Sequence, residues 1–123
     1  MDINNPIIQL CMEGARAEFE RRIEDARILY QQAWDSRTND YEACIAAHYV
    51  ARFQDSAEES LRWNQLALTH ADAVKDERVE EFYPSIYLNL GHSYELIGDK
   101  TEAHKYYDLA AALGVVHQRE EMP

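Results

Sequence analysis

The sequence predicts an all-α fold, and three observations support that prediction. Only four glycines and three prolines occur in 123 residues, and the turn-rich hairpin patterns of β-structure are missing. Apolar residues recur three and four positions apart, which is the spacing of a buried helix face. Small residues and tyrosines also recur at constant offsets from one another, which indicates repeated helix pairs.

The first predicted helix pair covers about residues 7–40. Asn5 can cap the free backbone N–H groups, and Pro6 stands at the first helical position, where its missing donor costs nothing. Offsets of 12, 16 and 19 residues from Gly14 reach Ala26, Tyr30 and Ala33. The turn near residues 20–22 has no glycine and no good cap, so one continuous helix is the alternative there.

The second predicted pair covers about residues 41–83. A 34-residue step from the first pair lands on Tyr41, where Asn39 and Glu42 form a capping box. Its second helix is expected to start at Asp55, which has a glutamate three residues later. The step from this pair to the next is 43 residues, so we expect extended helices with a break near residues 75–76 to absorb the excess.

The register within the second pair is ambiguous. In strict 34-residue register, His48 takes the place of Gly14 and Asn64 the place of Tyr30. A register one residue earlier places an alanine and a tryptophan there, but it also puts a glutamate and a leucine where small residues belong. We therefore expect the strict register, with His48 and Asn64 at a partly buried polar contact.

The third predicted pair, about residues 84–117, has the most specific pattern. Gly91 and Ala103 are small where two antiparallel helices must touch, and tyrosines fill the space around them. Gly98 is expected to end the first helix, and the second starts at an acidic capping box. The full pattern reads Tyr87-x-x-Leu90-Gly91-x-x-Tyr94, then Asp99-x-x-Glu102, then Ala103-x-x-x-Tyr107.

This order and spacing resembles the tetratricopeptide repeat (TPR) family, with tyrosines in place of its Trp and Phe. The chain departs from the family pattern at Val115, which stands where the family has a proline. The resemblance implies an α-α superhelix of about six antiparallel helices in three helix-turn-helix repeats. Residues 1–123 would then form a single TPR-like domain.

The composition bears on partners and location. There are 23 acidic and 12 basic residues, for a net charge of -11. Such a surface repels phosphate backbones and anionic lipid, so we expect neither a nucleic acid nor a membrane as partner, and a basic or mixed peptide is the better match. The N-terminus lacks a signal-peptide pattern and no apolar stretch is long enough to span a membrane, which predicts a cytoplasmic protein.

No motif in the sequence indicates an enzyme, a cofactor site or a metal site. There is no glycine-rich phosphate loop, no nucleophile motif and no HExxH. Surface or core roles are therefore favoured for the histidines, and buried free thiols for the cysteines. These residues are His48, His70, His92, His104, His117, Cys11 and Cys44.

The remaining candidate site is a groove. In the TPR family the first helices of successive repeats line a concave surface that holds a peptide or a partner's helix. The basic residues of the family's carboxylate-binding subclass are absent here, so a protein-binding groove of another specificity is implied. By repeat position it would include Ile8, Met12, Glu18, Ile45, Tyr49, Arg52, Asn89, His92 and Glu95.

The alternative function is structural self-assembly without a peptide ligand. After Gly114 only nine residues remain, so the last helix is expected to leave an apolar surface that a two-fold homodimer would cover. A tail that folds back as a short cap is the competing account. The residues predicted to form this surface are Tyr106, Leu109, Leu113, Val115 and Val116.

Overall fold

The computed structural model describes residues 3–74 and 76–114, and every regular element in these two ranges is helical. The all-α prediction is therefore confirmed for the described part of the chain. The six α-helices are α1 (Pro6–Phe19), α2 (Ile23–Asp35), α3 (Asp40–Val50), α4 (Ala57–Val74), α5 (Tyr83–Leu96) and α6 (Lys100–Ala112). Two 3-10 helices, Ala51–Phe53 and Glu77–Phe82, follow α3 and precede α5.

Consecutive helices pack in pairs, α1 with α2, α3 with α4, and α5 with α6. Two of these pairs share one contact. The ring of Tyr30 lies directly over Gly14, and the ring of Tyr107 lies over Gly91 so closely that an added Cβ would be 2.6 Å from Tyr107 Cε1. The small residue is thus what allows each tyrosine to pack between its two helices.

The turn between α1 and α2 breaks the helix despite its lack of glycine. Arg21 adopts a left-handed conformation with φ of 65°, and Gly98 adopts φ of 88° at the matching place between α5 and α6. The continuous-helix alternative is therefore wrong. Burial of Ala26 and Tyr30 against α1 favours the break even though a non-glycine residue in this conformation is strained.

The helix starts follow the predicted capping residues with one exception. Asn5 accepts hydrogen bonds from the N–H groups of Ile7 and Ile8, and Asn39 and Asp99 each accept from the third N–H that follows. The predicted start at Asp55 is wrong, because α4 begins at Ala57 and the Ser56 hydroxyl accepts from Glu59 N at 3.1 Å. The first turn of α4 is thus capped by a hydroxyl instead of a carboxylate.

A long α4 and the 3-10 helix before α5 take up the excess of nine residues, and α4 ends at the predicted break. The helix α4 runs for 18 residues to Val74, and Asp76 caps the 3-10 helix by accepting from Arg78 N at 2.9 Å. The helix α5 starts at Tyr83, which places Pro84 in its first turn, where the missing N–H donor is tolerated.

The core is built mainly from the faces of α1, α3 and α5, with Tyr41, Val79 and Leu90 among its buried members. Cys11 and Cys44 lie in it as free thiols, as predicted, and burial raises the pKa of each to about 12. In residues 3–74 and 76–114, no helix is both long enough and apolar enough to cross a bilayer.

Candidate functional site

Adjoining pockets lie between α3 and α5, where the sequence placed its groove. One pocket of about 200 Å³ is lined by Ile45, His48 and Tyr49 together with Ser85 and residues of the core. A second, of about 260 Å³, shares His48 and is otherwise largely polar. Its lining comprises His48, Ala51, Arg52, Ser60, Asn64, Asn89, His92, Ser93 and Leu96.

The polar pocket is organised by contacts between the middle helix pair and α5. Asn64 is buried, and its Nδ2 donates to Ser93 Oγ at 2.9 Å. Asn89 Nδ2 lies 3.2 Å from His48 Nδ1. Burial lowers the pKa of His48, and the Arg52 charge lowers it further, so the imidazole is neutral at physiological pH. His48 and Asn64 line the same polar pocket, as the strict register predicts, but their hydrogen-bonding partners are Asn89 and Ser93 of α5.

Arg52 is already paired within the protein. Its Nε donates to Glu18 Oε1 at 3.1 Å and its Nη2 bonds Glu18 Oε2, while the Tyr30 hydroxyl donates to the same carboxylate at 2.9 Å. The hydrogen bond from Arg52 holds the pKa of Glu18 below its usual value. Glu18 and Arg52 occupy the same position in successive pairs, so this ion pair joins α1 to the 3-10 helix that follows α3.

The other predicted groove residues fall into three groups. Ile8 is completely buried and Ile45 is 3% exposed, because both belong to the core, so Ile8 presents no surface to a partner. Met12 is 46% exposed, and His92 is exposed on α5. Glu95 is half-buried and accepts the Tyr107 hydroxyl at 2.9 Å, which engages it inside its own helix pair.

Two exposed apolar residues at the ends of first helices were missed by the sequence analysis. Phe19 is 89% exposed at the end of α1, and Leu96 is 61% exposed at the end of α5. Each follows the acidic residue that receives its pair's tyrosine hydroxyl, and each lines a pocket that includes Arg52. Both residues lie five positions after the glycine of their pair, and this shared apolar position in the sequence could have identified them.

Two of the residues predicted for self-association border a separate cleft. Tyr106 is half-buried and stacks on Tyr94 with ring centroids 5.6 Å apart, whereas Leu109 and Leu113 are 38% and 53% exposed. Both leucines line a cleft of about 630 Å³ between α6 and the start of α5. Val115 and Val116 lie outside the described residues.

Metal ligands do not converge in the part of the chain that the structure describes, where no group of three His, Cys, Asp or Glu side chains could hold an ion. His104 is exposed, as predicted, and His70 Nδ1 lies 2.8 Å from Asp40 Oδ1, while His117 lies outside the described residues. In comparisons with known proteins, no family model, no curated protein and no solved structure matches the chain.

Proposed function

We propose that this chain is a TPR-like helical repeat protein, without enzymatic activity or cofactor, that binds a peptide or partner protein in the groove along α1, α3 and α5. The observation that carries the proposal is the pair of adjoining pockets around His48. They combine an aromatic side chain, Tyr49, with the exposed or half-exposed polar side chains of Asn89 and His92. Recognition surfaces commonly combine apolar anchors with a few placed hydrogen-bonding groups.

The groove favours a largely neutral contact at its centre. Arg52 and Glu18 compensate each other, and the amides of Asn64 and Asn89 with neutral His48 supply both donors and acceptors. These groups suit the backbone and the uncharged polar side chains of a bound segment. Free buried thiols are the cysteine usage of a reducing compartment, which supports a cytoplasmic location.

A peptide selection followed by titration calorimetry tests this function. Peptides selected from a random library by the wild-type protein should bind Asn89→Ala and His92→Ala variants more weakly. Each lost hydrogen bond is worth on the order of 1 kcal/mol, or about fivefold in Kd. Arg52 is a poorer target for substitution because its removal also takes away the ion-pair partner of Glu18.

Gln32→Ala is the matched control, since Gln32 is exposed on α2, away from the residues lining these pockets. It should leave the affinity unchanged. Selected peptides that bind all three variants like wild type would move the binding site away from α5.

Homotypic assembly is the second candidate function, and the exposure of Leu109 and Leu113 supports it. A dimer would bury these side chains in a self-complementary contact. Light scattering across a wide concentration range decides the matter, because a constant mass of 14.3 kDa excludes assembly. A dimer lost in Leu113→Asp would place its interface on α6.

A further inference from the structure

The cleft beside α6 is separate from the proposed peptide groove. Its apolar part, here called the leucine floor, is formed by Pro84 of α5, by Leu109 and Ala112 of α6, and by Leu113, which follows α6. None of its lining residues belongs to the two pockets around His48. The complete lining is Asp72, Glu80, Tyr83, Pro84, Tyr87, Leu109, Ala112 and Leu113.

Two tyrosines also line the cleft. The rings of Tyr83 and Tyr87 lie with centroids 5.6 Å apart, and Tyr87 continues to Tyr106 at 6.1 Å. Tyr83 and Tyr87 are only partly buried, so part of each ring remains accessible. An accessible tyrosine face attracts a Lys or Arg side chain through its quadrupole.

The charge along this cleft has one sign. Asp72 and Glu80 are exposed and, among the residues that the structure describes, they are the only charged ones that line it. The Tyr83 hydroxyl donates to Asp72 Oδ1 at 2.6 Å, which fixes that carboxylate at the rim. The whole chain adds a net charge of -11 to this local field.

We propose that this cleft binds a cationic amphipathic segment of a partner protein, with aliphatic side chains on the leucine floor and Lys or Arg side chains against the tyrosines and the acidic rim. Charge complementarity selects this occupant over a second copy of the chain. Two copies would bring the carboxylates of both rims, and two strongly negative chains, toward one contact.

The test uses a fluorescent helical peptide of about 14 residues built from leucine and lysine, with its leucines on one face. Fluorescence anisotropy with the full chain measures its affinity. The peptide should bind wild type, and a version with glutamate in place of lysine should not. Light scattering of the mixture should give one peptide per chain.

Substitutions locate the peptide on the protein. Asp72→Asn with Glu80→Gln should weaken binding about fivefold, because two ion pairs are lost while the amide oxygen introduced by Asp72→Asn can still accept from the Tyr83 hydroxyl. Leu113→Asn should weaken it about tenfold by removing floor contacts. Asp55→Asn with Glu58→Gln is the matched control, since it removes two exposed charges elsewhere and should change the affinity less than about twofold.

Three outcomes overturn the proposal. Equal weakening by the cleft pair and the control pair would mean that the peptide follows net charge alone. Absence of binding to the full chain would leave the cleft to another occupant, including the chain's own residues 115–123. A concentration-dependent dimer that Leu113→Asn abolishes would assign the cleft to a second copy.

Discussion

At the residue scale, two helix pairs share a glycine–tyrosine contact, and the middle pair has polar residues in both of these positions. A glycine on the first helix faces a tyrosine on the second in the pairs α1/α2 and α5/α6, and each tyrosine hydroxyl then donates to a glutamate four residues after the glycine. In the middle pair the larger polar residue, His48, stands on the first helix and Asn64 on the second. Both reach α5 instead of filling space within their own pair.

The glycine contact predicts a stability change at Gly91. Gly91→Leu should lower the free energy of unfolding by about 1–3 kcal/mol, because its side chain would meet the Tyr107 ring that Glu95 holds in place. Thermal unfolding measures the change. Ala111→Leu introduces the same side chain at an exposed site of α6 and should shift the free energy by less than about 0.5 kcal/mol. Equal melting of both variants would contradict the contact.

At the element scale, two helix pairs have a left-handed residue at the same place in the turn between their helices, but the residue type differs. Gly98 adopts its left-handed conformation without steric cost, whereas Arg21 is strained in the equivalent place. Neighbouring side chains do not impose the conformation of Gly98, because a Cβ added there would meet nothing within 4 Å. At Arg21, the packing of α2 onto α1, which buries Ala26 and Tyr30, offsets the strain of the left-handed conformation.

Arg21→Gly should raise the free energy of unfolding by about 0.5–1 kcal/mol, which is the relief of left-handed strain less the added entropy of the unfolded chain. Urea unfolding should show a higher midpoint with an unchanged slope. Gly98→Ala is the reciprocal variant and should lower stability by a similar amount. A loss of stability in Arg21→Gly would mean that the arginine side chain, rather than the turn conformation, is what matters there.

The linker between the second and third pairs is also an element-scale feature. The 18 residues of α4 and the 3-10 helix Glu77–Phe82 place Asp72 and Glu80 beside the start of α5. The helix α2 ends at Asp35, and the matching position 34 residues later is 69, so a second pair of the same length would end its second helix before Asp72. The cleft beside α6 therefore depends on the insertion as well as on the last pair.

At the scale of the whole molecule, a buried carboxylate joins the first and second pairs. Glu42 is 7% exposed and accepts from Asn5 Nδ2 at 2.9 Å and from Thr38 N and Oγ1 at 2.8 and 2.9 Å. Burial would raise the pKa of Glu42, but these hydrogen bonds outweigh it and leave the pKa below the ordinary 4.5. The charged form is therefore favoured by folding.

A depressed folded-state pKa gives a stabilising contribution that is present above the unfolded value of about 4.5 and is lost as pH falls through the folded value. Wild type should exceed Glu42→Gln in free energy of unfolding by about 1–3 kcal/mol near neutral pH, and the gap should narrow below pH 4.5. Urea titrations from about pH 7 to about pH 3 measure it. Glu58→Gln, an exposed site of α4, should match wild type throughout. A gap that stays constant with pH would contradict the assignment.

The candidate groove could be predicted only in part. Four residues that repeat spacing assigned to one groove, Tyr49, Arg52, Asn89 and His92, line adjoining pockets, because residues at matching positions of neighbouring helices face the same way. Repeat spacing also placed Ile8 there, which is completely buried. Spacing specifies a helix face but not how deeply the next element covers it.

The sequence by itself determined the helices and most of their starts, because caps, apolar spacing and helix-breaking residues act within a few positions of the chain. The tertiary structure alone decided the left-handed turn at Arg21, the pairing of Arg52 with Glu18 and the partners of His48 and Asn64. The turn depends on how α2 packs on α1, whereas the side-chain contacts depend on how one helix pair lies against the next. The three side-chain contacts join residues 29 to 41 positions apart, and only the packed molecule brings them within hydrogen-bonding distance.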